Sequence, residues 1–160
     1  MLSSLSKLEN SKEYKSWKND NKNSYLCSCF YLDGEGDWQF DFYLPKKDKI
    51  KTFIVENNEV KGLVDSKIFK KDDSVLKKLD LNKVKVTFEN AVGIVDELKN
   101  SKYKNENIIK RIIILQNIDK EVWNITYLTS NFNILNIKVD ASSGKVLSEK
   151  LDSVMRFKAS

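Results

Sequence analysis

Two stretches of the chain share one layout, and a repeated layout restricts the fold more than any single motif. WQFDFYLPKKDKIKTFIVENNEV occupies residues 38–60, and WNITYLTSNFNILNIKVDASSGKV occupies residues 123–146. With Trp38 set on Trp123, Phe40 falls on Ile125 and Phe42 on Tyr127. With one residue fewer in the second turn, Ile50 falls on Ile134, Phe53 on Ile137, Val55 on Val139 and Glu56 on Asp140. In both stretches apolar residues alternate with polar ones, the period of a strand that buries one face. Any antiparallel meander alternates in this way. The shared tryptophan and the shared acidic residue after the last valine carry the match further.

The flanking segments extend the parallel. Leu5, Leu8, Tyr14 and Trp17 give a broken helical spacing over residues 5–18. Tyr25–Leu32 is a strand ended by the turn residues DGEGD, and a second strand follows at Trp38–Leu44. Residues 45–49 close that strand, residues 50–56 form the next, and Asn57 and Asn58 turn the chain into a short fourth at residues 60–64. Asp72 is placed to cap a helical turn or two within residues 71–80. In the second half Thr87 caps a helix over residues 88–99, Glu89 lies in its first turn, and Phe88, Ala91, Val92, Val95 and Leu98 share one face. The β-branched run 108–115, the alternation of Trp123, Ile125 and Tyr127, and that of Leu135, Ile137 and Val139 give three strands. Gly144 allows a turn into a last strand at residues 145–149. The expected fold is α+β, with two repeats of a helix followed by an antiparallel three- to four-stranded meander. The first repeat takes residues 1–70, a connecting segment residues 71–84, and the second repeat residues 85–160.

The run KVTFENAVGIV at residues 85–95, followed three strands later by IKVDASSGKVL at residues 137–147, resembles a PepSY domain. The ending is carried by Val139, Asp140, Ala141, Gly144 and Val146. The first half keeps the layout but ends VENNEV, without the glycine. The resemblance implies a tandem PepSY-like protein of the archaeal type. It further implies a non-catalytic regulator that inhibits or holds a peptidase or cell-wall hydrolase, in a family many of whose members act outside the cytoplasm. It supplies no catalytic residues.

Composition narrows the chemistry independently. The chain has no histidine, which removes Ser-His-Asp and Cys-His schemes, and neither GxGxxG nor GxxxxGK[ST] occurs. DGEGD lacks the length and terminal glutamate of an EF-hand loop. The acid pairs Asp33 with Asp37, Asp72 with Asp73 and Asp96 with Glu97 are where carboxylate chemistry or a hard cation would have to sit, although solvated turns and helix faces account for each. Cys27 and Cys29 are the only cysteines. On a strand, residues two apart lie about 6.6 Å apart on one face, beyond the roughly 4 Å between β-carbons of a disulfide. With no imidazole to complete a zinc site, they read as small buried thiols. No metal or cofactor is implied. Asn124-Ile125-Thr126 matches a glycosylation sequon but falls in an expected strand.

The net charge of +5 comes from 28 Lys and Arg interleaved with 23 Asp and Glu, and only Arg111 and Arg156 are arginine. A nucleic-acid surface clusters basic residues and favours arginine, so nucleic acid is the weakest class of partner. No apolar run approaches the roughly 18 residues of a membrane span, and the first residues turn polar at once. A cytoplasmic setting is the default expectation, and an extracytoplasmic one applies if an amino-terminal anchor was removed. Neither repeat nor composition specifies an oligomeric state.

The leading expectation is a non-enzymatic binding or regulatory module that docks on another protein. The alternative is a small-ligand binder or carboxylate-based enzyme that uses a concavity of the sheet. Trp38, Trp123 and Tyr127 are the candidate anchors, either of the core or of an interaction surface.

Overall fold

In the computed structural model, which describes residues 1–34, 36–57, 59–67 and 76–154, the alternating segments all enter one antiparallel sheet. Strands β1 (Tyr25–Leu32), β2 (Trp38–Leu44), β3 (Lys49–Glu56) and β4 (Glu59–Gly62) pair consecutively. So do β6 (Ile108–Asn117), β7 (Glu121–Thr129), β8 (Asn133–Asp140) and β9 (Val146–Ser153). The first strands of the two meanders pair with each other, giving the order β4-β3-β2-β1-β6-β7-β8-β9, and the two-residue β5 (Ser66–Lys67) adds to β3.

The two meanders have the same register. Trp38 lies opposite Val55 and Phe40 opposite Phe53, while Trp123 lies opposite Val139 and Ile125 opposite Ile137. Tyr31 faces Trp38 as Leu115 faces Trp123, which makes Phe30 the counterpart of Ile114. Those two residues are also direct partners across the β1–β6 pairing. A pseudo-two-fold axis therefore passes through the Phe30–Ile114 pair.

Among the described residues three helices cover the face of the sheet that carries the tryptophans: α1 (Leu2–Asn10), α2 (Lys12–Asp20) and α3 (Phe88–Lys102). The single helix expected over residues 5–18 is broken at Ser11. That residue takes an extended backbone (ψ 152°), and its hydroxyl accepts the Tyr14 N–H, so it caps α2. α1 buries Leu5 and Leu8, and α2 packs Tyr14 and Trp17 against Phe42 and Phe53. The ring centroids of Trp17 and Phe53 are 5.1 Å apart in an edge-to-face arrangement that aromatic quadrupoles favour. α3 begins where expected, with the Thr87 hydroxyl accepting the Asn90 N–H at 3.2 Å, and buries Ala91 and Val95. Its first residue, Phe88, lies 5.2 Å from the Trp38 ring and 6.1 Å from the Trp123 ring, bridging the two meanders.

Other elements depart from expectation in detail. Residues 71–75, with Asp72, lie outside the described residues. Residues 76–80 are not helical, and the capped element is instead a 3₁₀ turn, Leu81–Lys83, headed by Asp80. β4 ends at Gly62, and β9 runs to Ser153 because pairing with β8 continues past the end of its alternating pattern.

Trp123 is fully buried and donates its indole N–H to the Val86 carbonyl at 2.9 Å. Replacing it with alanine is expected to cost about 3–5 kcal/mol. Because β1–β6 pairing and Phe88 couple the halves, urea unfolding followed by fluorescence and by circular dichroism should give one coincident transition; two separated transitions would show the halves to be independent.

Candidate functional site on the uncovered sheet face

The helices occupy one face of the sheet, and alternation sends a second set of side chains to the other. At its centre Phe30 and Leu32 of β1 face Ile114 and Ile112 of β6, all four partly exposed. None of the three described helices packs on this face. A polar group flanks the apolar centre on each side. On β2 and β3 the Asp41 carboxylate accepts the Ser28 hydroxyl at 2.7 Å and the Thr52 hydroxyl at 2.6 Å. On β7 and β8 the Asn136 amide donates to Asn124 Oδ1 at 2.7 Å and to Thr126 Oγ1 at 2.8 Å. By the shared register Asp41 corresponds to Thr126 and Thr52 to Asn136. These polar atoms already have partners, so covering the face leaves few of them stranded.

Trp38 is 6 % exposed, and Trp123 and Tyr127 are 0 % exposed, all on the helix-covered face. They anchor the core, and none is presented to solvent. The acids weighed from sequence resolve differently. Asp33 and Asp96 converge on Arg111, at 3.3 Å and 3.4 Å, and the Tyr127 hydroxyl donates to Asp96 at 2.7 Å. The Arg111 guanidinium also lies 5.5 Å from the Tyr127 ring centre. Burial, and after it the Asp96 carboxylate, pushes the Tyr127 phenol up. This cluster ties α3 to the sheet through opposite charges. The pair Asp72 and Asp73 lies outside the described residues.

Cys27 and Cys29 are both buried and unbridged. A β-bulge between Leu26 and Ser28 breaks strict alternation at Cys27, whose thiol donates to the Asp41 carbonyl at 3.2 Å. Burial pushes the Cys27 thiol up to about 12 and raises Cys29 as well, so neither is a reactive thiolate at neutral pH. Among the described residues no group of three or more His, Cys, Asp or Glu is placed to hold a metal ion. The sequon residue Asn124 lies in mid-strand, with its side chain bonded to Asn136.

One crevice of about 270 Å³ lies at the start of α3, walled by Met1, Leu81, Val84, Phe88 and Trp123, with Glu89 its only acid. The VDASSGKV ending is a structural turn. Asp140 accepts the Ser142 and Ser143 N–H groups at 2.8 Å and 3.1 Å and the Lys120 ammonium at 2.6 Å. Gly144 supplies a positive φ of 77° close to Ile94 of α3, where a β-carbon would come within 3.3 Å. The uncovered centre was not singled out from sequence. Its signal is the runs FYL in β1 and IIIL in β6, which are apolar on both faces where a half-buried strand would alternate.

No family model matches the chain, and no curated protein matches it. Among solved structures, a candidate lipoprotein from Clostridium difficile 630 superposes with a TM-score of 0.59 over 88% of this chain and 90% of that chain, at 18% sequence identity. At that identity the likeness is one of fold. No helix among the described residues is long and apolar enough to cross a membrane.

The Asp140 turn makes a pH prediction. Its hydrogen bonds, led by that from Lys120, lower the carboxyl from 3.8 to about 2 in the folded chain. A depressed carboxylate stabilises the fold above its unfolded pKa, and that contribution disappears as pH falls through the folded value. Asp140→Asn should therefore cost roughly 1 kcal/mol at neutral pH and almost nothing near pH 2, as measured by urea unfolding at both pH values.

Proposed function

We propose that the chain is a non-catalytic docking module built of two PepSY-like repeats, and that it binds another protein through the uncovered sheet face. The observation that carries this reading is the apolar centre at Phe30, Leu32, Ile112 and Ile114, set between two internally satisfied polar groups. An apolar middle with a polar surround is the anatomy of a protein interface. The peptidase or hydrolase partner implied by the PepSY resemblance remains the class to test first. The crevice beside Trp123 has one acid, and in the one lined by Asp119, Glu121 and Asp140 the three carboxylates are held by Lys77, Asn117 and Lys120, a poorer match to carboxylate catalysis, which needs convergent free groups. The fold neighbour's description as a candidate lipoprotein favours an extracytoplasmic setting for this reading.

Affinity capture from the source organism should recover a specific protein with the wild-type chain and much less of it with Phe30→Lys/Ile112→Lys. Loss of one central apolar contact of this kind commonly weakens binding by about tenfold or more. Equal recovery by the two chains, with both shown to be folded by circular dichroism, would remove the face from the binding role.

A further inference from the structure

The two edges of the sheet differ. At one end β4 is four residues long, carries the Lys61–Glu56 ion pair at 2.6 Å, and shares the outer side of β3 with β5. At the other end β9 runs for eight residues, pairs with β8 on one side, and has no described strand on the other. An edge strand of this length exposes a row of backbone donors and acceptors, which proteins usually shorten, charge or cover. Here the edge carries Glu149, Lys150 and Asp152, and beside them two half-exposed leucines: Leu147 is 39 % exposed and Leu151 is 40 % exposed. Beside it Phe132, 66 % exposed, accepts the Val154 N–H at 2.8 Å through its carbonyl. Phe132 holds a left-handed backbone with φ 57°, a conformation that strains a bulky residue. Its counterpart in the first meander is Asp48, at φ 48°, a residue type that tolerates this region.

The sequence of the edge complements itself. In antiparallel pairing about a two-fold axis at Leu151, Leu151 meets Leu151 of a second copy. Lys150 then lies opposite Asp152 of the second copy, and Asp152 opposite its Lys150. Opposite charges in directly facing positions stabilise a strand pair, and like charges weaken it. Moving the axis to Glu149 or Lys150 sets like charges against each other. Lys150 and Asp152 already lie 2.7 Å apart within one strand, the Lys150 side chain being 72 % exposed, so both charges are at the edge and ready to exchange partners.

We infer that a second copy of this chain pairs with β9 along its outer edge, in the register centred on Leu151, continuing the sheet across a dimer. The contact is a single strand edge, so the dimer forms reversibly and its population rises with concentration. It uses the sheet edge and does not depend on the open face being a docking surface.

Sedimentation velocity on the full chain at rising concentration tests this. The wild type should shift from monomer to dimer. Lys150→Asp sets two aspartates opposite each other at both symmetry-related positions, and Asp152→Lys sets two lysines. Each should weaken the dimer by about tenfold or more. Lys150→Asp/Asp152→Lys restores complementarity and should restore the dimer, which separates loss of pairing from loss of fold. A chain that stays monomeric throughout, a dimer indifferent to the single exchanges, or failure of the double exchange to restore association would each overturn the inference.

Discussion

The pairing of β1 with β6 is the contact on which the rest of the structure depends. Each meander alone would leave its first strand as an open edge, with unpaired N–H and C=O groups along it. Joining those two edges, with Phe30 directly opposite Ile114 on the pseudo-two-fold axis, turns two four-stranded units into one continuous sheet. Below the junction Phe88 contacts both tryptophans, and the interior of one half becomes continuous with that of the other. Such contacts raise the cost of opening either half alone, because its edge and its tryptophan would be exposed together.

From that junction the chemistry divides by face. The helix-covered face concentrates aromatic and branched side chains, and specific partners hold two of its polar groups: the Trp123 indole bonds to Val86, and Tyr127 to Asp96, which Arg111 neutralises. The opposite face mixes Phe30, Leu32, Ile112 and Ile114 with hydroxyls, amides and the Asp41 carboxylate, which bond among themselves. A surface of that kind can lose water without orphaning many polar groups, which suits recognition by contact better than bond-making chemistry.

Much of the secondary structure was legible because its signals are local. Thr87 as a cap, the apolar face of α3, and the alternation at Trp38–Leu44 depend on residues a few positions apart. The break at Ser11 was less visible, since Leu5, Leu8, Tyr14 and Trp17 keep a roughly helical spacing through it. The length of β9 was missed because an edge strand with one solvated side loses the apolar alternation that marks its neighbours. Acid pairs adjacent in sequence suggested sites, whereas Asp33 and Asp96 meet through Arg111, which is distant from both in the chain.

By itself the sequence determined that the chain builds the alternating strands and capped helices of an α+β fold, and that it carries no histidine. These follow from side-chain periodicity and residue type, which need no knowledge of distant contacts. Only the tertiary structure decided that the halves join through their first strands, that Trp38, Trp123 and Tyr127 lie inside, and that no described helix covers the apolar centre of one face and no described strand the outer edge of β9. The physical reason is that a period of two separates the faces of a strand without saying which face a helix will cover or which edge another strand will meet.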